Sequence, residues 1–215
     1  MNDLRFRMDG AAPHPDASLV LALHGQGMDQ DRFAGVLEPL FTLPVRFLVP
    51  TAPLMSHSRR FPGPSWYDYD GDQERFRTAL VGVETLLLHF LQRVELEQQL
   101  APRRRVLLGF SQGGYCGSWV ALRNSDRFSA MIVSGARVKL EFLGDAIRRA
   151  GRNGFAALLC HGRNDRAVRL EAAESSRDGL TAGGVPTTLH TFDSGHTMSP
   201  EQIEAIRTWL VTHLE

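Results

Sequence analysis

The sequence predicts an α/β fold in which a mostly parallel central sheet carries helices on both faces. Short apolar runs without alternation, such as 18–23 (Ser-Leu-Val-Leu-Ala-Leu) and 155–160 (Phe-Ala-Ala-Leu-Leu-Cys), read as strands covered on both sides. Those runs alternate along the chain with segments of helical periodicity, the order expected of a parallel sheet. Most of the polar residues with chemical potential stand just after a strand, where sheets of this kind bind their ligands. At 215 residues without an internal repeat or a low-complexity linker, the chain is expected to form one domain.

The elements follow in order. Residues 4–8 alternate apolar and basic side chains, as a half-exposed edge strand does, and Pro13 and Pro15 end it. The strand at 18–23 runs into His24-Gly25-Gln26-Gly27. A short amphipathic helix is expected over 30–41, with Phe33, Val36, Leu37 and Leu40 on one side, and a strand over 45–49. Residues 54–71 hold several prolines and glycines and read as a long surface loop around Trp66-Tyr67-Asp68. The clearest helix, 75–99, places Phe76, Leu80, Val83, Leu87, Phe90 and Val94 in one stripe, and Pro102 stops it.

A strand over 105–110 leads through Gly109-Phe110-Ser111-Gln112-Gly113 into a helix from 114 to 123. A strand at 130–133, a helix at 142–150 and a strand at 155–160 come next. Gly183-Gly184 caps a helix over 170–182. The last strand is 187–192. Ser199 as N-cap, Pro200 at the first position and Gln202 as a capping-box partner mark the start of the final helix.

Composition is that of an ordinary globular protein, 43% hydrophobic and 22% charged, with zero formal net charge. Nothing in that balance favours nucleic acid or an anionic membrane as partner. The Arg59-Arg60, Arg103-Arg104-Arg105 and Arg148-Arg149 runs read as solvated edges. No apolar segment approaches membrane-spanning length, and the first ten residues have no apolar run of a secretory leader, so a cytoplasmic protein is expected. Cys116 and Cys160 read as buried free thiols.

The turn at 109–113 has the G-x-S-x-G form of a nucleophile elbow, in which glycines flank a serine on a turn too tight for side chains. A serine hydroxyl is a weak nucleophile at neutral pH and needs a base, which in turn needs an orienting acid. His196, in the short loop after the last strand, is the expected base. His24 and His161 precede glycines at strand ends and read as structural. Asp165, after the penultimate strand, is the expected acid, and the order Ser, Asp, His suits this sheet type. Asp193 is its rival, set too close to His196 in sequence to lie across the ring. The oxyanion donors are expected from the backbone N–H groups of Gln112 and Gln26.

Taken together, Leu-His-Gly-Gln-Gly, Gly-Phe-Ser-Gln-Gly-Gly, His-Gly-Arg-Asn-Asp-Arg-Ala-Val and Ser-Gly-His resemble the phospholipase/carboxylesterase family of α/β-hydrolases, which includes acyl-protein thioesterases. The resemblance runs from about residue 18 to 214. It implies an α/β-hydrolase fold without a large cap domain, no cofactor and no metal, and a small ester or thioester substrate cleaved through an acyl-enzyme. It carries Ser111, Asp165 and His196 over as nucleophile, acid and base, with Gln26 and Gln112 as oxyanion donors. Trp66-Tyr67-Asp68 resembles the family's Trp-Phe-Asp segment near the acyl site. Trp66, Met28 and Met198 are the candidate substrate contacts. An uncapped site also leaves room for a homodimer. Two departures stand out: Met28 precedes Asp29 where the family commonly has the acid itself, and residues 56–65 are proline- and arginine-rich. The competing expectation, from another class, is a non-catalytic ligand-binding protein on the same scaffold.

Overall fold

The computed structural model describes residues 4–10 and 14–214; Pro13, expected to break the first strand, lies outside them. Seven strands form one sheet: β1 (Phe6–Gly10), β2 (Leu19–Leu23), β3 (Arg46–Pro50), β6 (Arg105–Phe110), β7 (Ala130–Ser134), β8 (Ala156–Gly162) and β9 (Thr187–Phe192). Their spatial order is β1-β3-β2-β6-β7-β8-β9. Only β1 runs antiparallel, pairing with β3 at the edge.

The unbroken apolar strands are explained by what covers each face. Along β2, Leu19, Leu21 and Leu23 face one core while Val20 and Ala22 face the other. In β7, Met131 and Val133 divide from Ala130 and Ile132 in the same way. The first core is closed by helices α2 (Gln73–Glu97), α3 (Gln112–Arg123), α4 (Leu140–Arg152) and α5 (Leu170–Ala182). The second lies under α1 (Gln30–Leu37) and α6 (Pro200–Leu214). With both faces dry, a polar residue on either side of a central strand would be buried, so the sequence cannot alternate.

Three local expectations are revised. Residues 54–71 are not wholly irregular, because β4 (Leu54–Ser56) and β5 (Gly63–Ser65) pair as a small antiparallel hairpin. The first helix ends at Leu37 and gives way to a 3-10 turn over Glu38–Leu40, since Pro39 has no N–H to continue the α ladder. Gln202 does not close a capping box on Ser199. Its side chain instead accepts a hydrogen bond from Ser134 Oγ at 2.9 Å and donates one to Ser194 Oγ at 3.1 Å. Gln202 is fully buried there, so two partners inside the protein outweigh the exposed cap.

Candidate active site

Every loop of interest leaves the carboxyl edge of this sheet. Strands β2 and β6 pair in register through Leu23 and Gly109, which sets the 24–27 turn beside the 110–113 turn. A methyl group at Gly109 would overlap the Gly113 carbonyl, and one at Gly113 would overlap that of Leu23. The elbow can therefore be this tight only with glycine at both places. Ser111 itself sits at φ 51°, ψ −118°, a left-handed backbone unusual for any side chain but glycine. Two kinds of anchor hold it there. Its N–H donates to Ser134 O on β7 at 2.9 Å, and its carbonyl accepts from Gly114 N at 2.8 Å as α3 begins.

His196 and Asp165 reach this serine from the far side of the sheet. Three strand spacings separate β9 from β6, roughly 14 Å, so the loop after β9 must fold back over β8 and β7. Its crossing depends on Gly162, where a methyl group would overlap the carbonyls of Ser194 and Gly195. Gly135, at φ 58°, offers His196 a close approach, since a Cβ there would lie 3.3 Å from the ring. Phe110 supports the ring with a centroid separation of 5.2 Å.

The resulting hydrogen-bond chain is continuous. His196 Nε2 lies 2.8 Å from Ser111 Oγ, and Nδ1 lies 2.7 Å from Asp165 Oδ2. The second oxygen of Asp165 accepts from the N–H groups of Ala167 and Val168 at 2.8 and 2.9 Å. Burial opposes ionisation of this carboxyl, but those N–H groups and His196 outweigh it and hold its pKa below the usual value. An ionised Asp165 fixes the Nδ1–H tautomer, which leaves Nε2 free to accept from the serine hydroxyl. Asp193 is engaged elsewhere, accepting from Asn164 Nδ2 at 2.7 Å.

The remaining histidines named from sequence are bonded into loops. His24 is fully buried, donating from Nδ1 to Gly25 O at 2.8 Å and accepting at Nε2 from Ala52 N–H at 2.9 Å. His161 donates from Nε2 to Val168 O at 2.8 Å, while its buried Nδ1 has no partner among the described residues. Through Val168 it steadies the same turn that serves Asp165.

Gln112 opens α3, so its N–H is among those without a carbonyl one turn earlier. Its side chain is buried and ties the elbow to the 65–67 segment, accepting from Trp66 N–H and donating to Tyr67 O, both at 2.9 Å. On the opposite side of Ser111, Gln26 lies between two pinned residues: Gly27 N–H donates to Pro64 O at 2.8 Å and Met28 N–H to Gly25 O at 3.2 Å. A Cβ at Gly25 would come within 2.9 Å of the Phe110 ring, so only glycine lets this backbone approach the elbow.

A cleft of about 860 Å³ opens over Ser111 and His196, and Met28 and Met198 line it. Trp66 does not. It is buried at 2% exposure behind the site, with its indole N–H donating to His24 O at 2.9 Å, and the neighbouring Tyr67 faces the cleft in its place. Sequence reasoning did not single out Gly135, Gly162, Ser134 or Gln202 for the site. Gly162 alone carried a signal, as the glycine of His-Gly-Arg-Asn-Asp. Among the described residues no group of three or more His, Cys, Asp or Glu side chains could hold a metal ion, and no helix is long and apolar enough to cross a membrane.

The sheet order and the serine turn between β6 and α3 define an α/β-hydrolase fold with no large cap. The phospholipase/carboxylesterase family model matches residues 11–214, nearly the whole chain. The protein belongs to that family and is, by that membership, a hydrolase of the ester or thioester type. It is 26% identical to acyl-protein thioesterase 1 of Neurospora crassa over 182 residues, 79% of this chain and 74% of that protein. Among solved structures it is similar to esterase PE8, with a TM-score of 0.81 at 24% identity over 98% of this chain and 99% of the other. It is also similar to Zea mays acyl-protein thioesterase 2, with a TM-score of 0.76 at 22% identity over 98% and 99%. These last two likenesses concern the fold.

Proposed function

We propose that the protein is a serine hydrolase that cleaves small carboxylic esters or thioesters through an acyl-enzyme on Ser111. The observation that carries the reading is the unbroken chain from Ser111 Oγ through His196 to Asp165, at 2.8 and 2.7 Å. In the first half-reaction Ser111 Oγ attacks the carbonyl carbon as His196 Nε2 takes its proton. Asp165 stays ionised and stabilises the imidazolium that forms. Negative charge on the carbonyl oxygen is met by the N–H groups of Gln112 and Gln26, and each such donor is worth about a hundred- to a thousandfold in rate. The tetrahedral intermediate collapses with His196 returning the proton to the departing alcohol or thiol. Water then attacks the acyl-serine with His196 again as base, and the released acid leaves Ser111 protonated.

Met28 and Met198 are proposed to contact the substrate, and Trp66 to act behind it by steadying His24 and the 24–27 turn. The proposal keeps the expectation of a cytoplasmic enzyme without cofactor. Hydrolysis of p-nitrophenyl butyrate and of the uncharged thioester S-phenyl thiobutyrate tests the reading. Both are expected to be turned over, and Ser111→Ala is expected to lower kcat by at least about 10⁴-fold. Wild-type rates in that variant would refute the assignment of the nucleophile, and no turnover of any activated ester by the wild type would favour a binding protein.

A further inference from the structure

The cleft over Ser111 has an uneven charge. Arg32, Arg60, Arg137 and Lys139 line it, and no Asp or Glu does among the described residues. The four cations differ in how they are held. Arg32 and Arg60 are exposed, so solvent and side-chain entropy dilute their effect. Arg137 and Lys139, which follow β7, form a built wall.

Lys139 is only 4% exposed. Its ammonium donates to Gln73 Oε1 at 2.7 Å and pairs with Glu141 Oε1 at 2.8 Å, and the rings of Phe76 and Phe142 lie 5.3 and 5.1 Å away. Arg137 grips the same Glu141 with both terminal nitrogens, at 3.2 and 3.0 Å. Tyr115 lines the cleft with them, and burial raises the pKa of its phenol, so it stays neutral. Glu141 is held ionised: burial opposes this, but Arg137 and Lys139 bring its pKa down to about 2. One carboxylate therefore serves two cations, and it stands outside the cleft while both cations line it. The cleft that opens over Ser111 therefore carries a fixed, partly desolvated excess of positive charge, which favours an anionic group within it.

We propose that the wall formed by Arg137, Lys139 and Tyr115 receives a carboxylate or phosphate carried by the ester substrate. This rests on the hydrolase reading and narrows it, from small esters in general to esters with an anionic end. Arg137 supplies directional N–H donors suited to a carboxylate or phosphate. Lys139 supplies a point charge whose position is set by Gln73, Glu141 and the two rings. Whether the anion sits on the acyl or the alcohol side is a matter for the two arms of the test.

In the acyl arm, kcat/KM is measured for mono-p-nitrophenyl glutarate and for neutral p-nitrophenyl pentanoate. In the alcohol arm the pair is 4-acetoxybenzoate and 4-acetoxybenzamide. Each charged-to-neutral ratio is compared between wild type, Arg137→Gln, Lys139→Met and the remote control Arg148→Gln, so that intrinsic reactivities cancel. The ratio is expected to fall at least about tenfold in Arg137→Gln and Lys139→Met for one arm, and to be kept in the control. In the wild type the same ratio is expected to drop as salt is raised from about 20 mM to about 500 mM. This holds even if a variant folds poorly. Ratios unchanged by both variants and by salt, with neutral esters turned over, would overturn the anion wall and leave the hydrolase standing. Calorimetric binding of glutarate, weakened at least about tenfold by Arg137→Gln, is expected independently of turnover. Binding of that kind with no hydrolysis of any ester would instead overturn the hydrolase reading, and the absence of both glutarate binding and a charge preference would sink the wall.

Discussion

Ser111 occupies a backbone conformation that costs on the order of 1–3 kcal/mol for a residue with a side chain, and the surrounding elbow over-determines it. Its partners allow a sharp discrimination between the two nearby acids. Asp165→Asn preserves shape but removes the charge that fixes the His196 tautomer, and kcat is expected to fall about 10⁴-fold. Asp193→Asn touches only the bond to Asn164 and is expected to stay near wild type; a collapse there, with Asp165→Asn active, would reverse the assignment. In the sequence, loop order and separation from His196 already favour Asp165 over Asp193 as the proposed acid. Other residue-level facts were not legible. Trp66 was expected at the substrate, yet its indole N–H finds His24 O and turns the ring into the core. Gln202 looked like a cap, and nothing in its local sequence announces Ser134, which is 68 residues away. Arg137 and Lys139 belong to no motif in the sequence, and only the fold brings them to a shared Glu141 and to the lining of the cleft.

At the scale of elements, the site is a meeting of five strand ends, those of β2, β6, β7, β8 and β9, and the glycines decide how closely the loops pass. Gly162→Ala is the cleanest probe. Its methyl group would overlap the carbonyls of Ser194 and Gly195, displacing the loop that carries His196 while leaving the sheet intact. A shift of about 1 Å is enough to cost about a hundredfold in kcat. That loss, with far-ultraviolet circular dichroism unchanged, is the expected outcome; full activity would mean that the loop does not depend on this passage. The strand–helix alternation was readable because both faces of the sheet are dry at its centre and the central strands must be apolar throughout. The hairpin of β4 and β5 was not, since strands of three residues with Pro64 inside carry no periodic signal. Glu84 shows the same limit within a helix. It interrupts the apolar stripe of α2, and only the fold reveals that Trp119, Arg123 and Asn124 all donate to it.

For the whole molecule, we propose one domain that unfolds as a unit, with Trp66 and Trp119 in one core and Trp209 in the other reporting the same transition. Its stability is expected to decline in mild acid. Burial pushes the His24 imidazole from its ordinary 6.5 down to about 4, and its Nε2 is already accepting from Ala52 N–H. Below pH 6.5 the unfolded chain takes up a proton at this residue that the folded chain refuses. Stability is therefore complete above that pH and lost as pH falls toward 4, by on the order of 3 kcal/mol. Asp165 adds a second loss at lower pH: its depressed carboxyl stabilises the fold above the ordinary carboxylate value and ceases to do so as pH drops through the folded value. Urea unfolding between about pH 7.5 and about pH 4.5 checks this. Wild type should weaken across the range, and His24→Gln should be less stable at the upper end but flatter below it. An equal slope in both would assign the acid sensitivity to other groups.

The most direct test of the central claim is to catch the acyl group on the enzyme. Rapid acid quench of the wild type during turnover of p-nitrophenyl butyrate, followed by peptide mass spectrometry, should find one butyryl adduct, on Ser111, formed as fast as the burst of p-nitrophenol. An adduct on another residue, or steady turnover in Ser111→Ala, would contradict it.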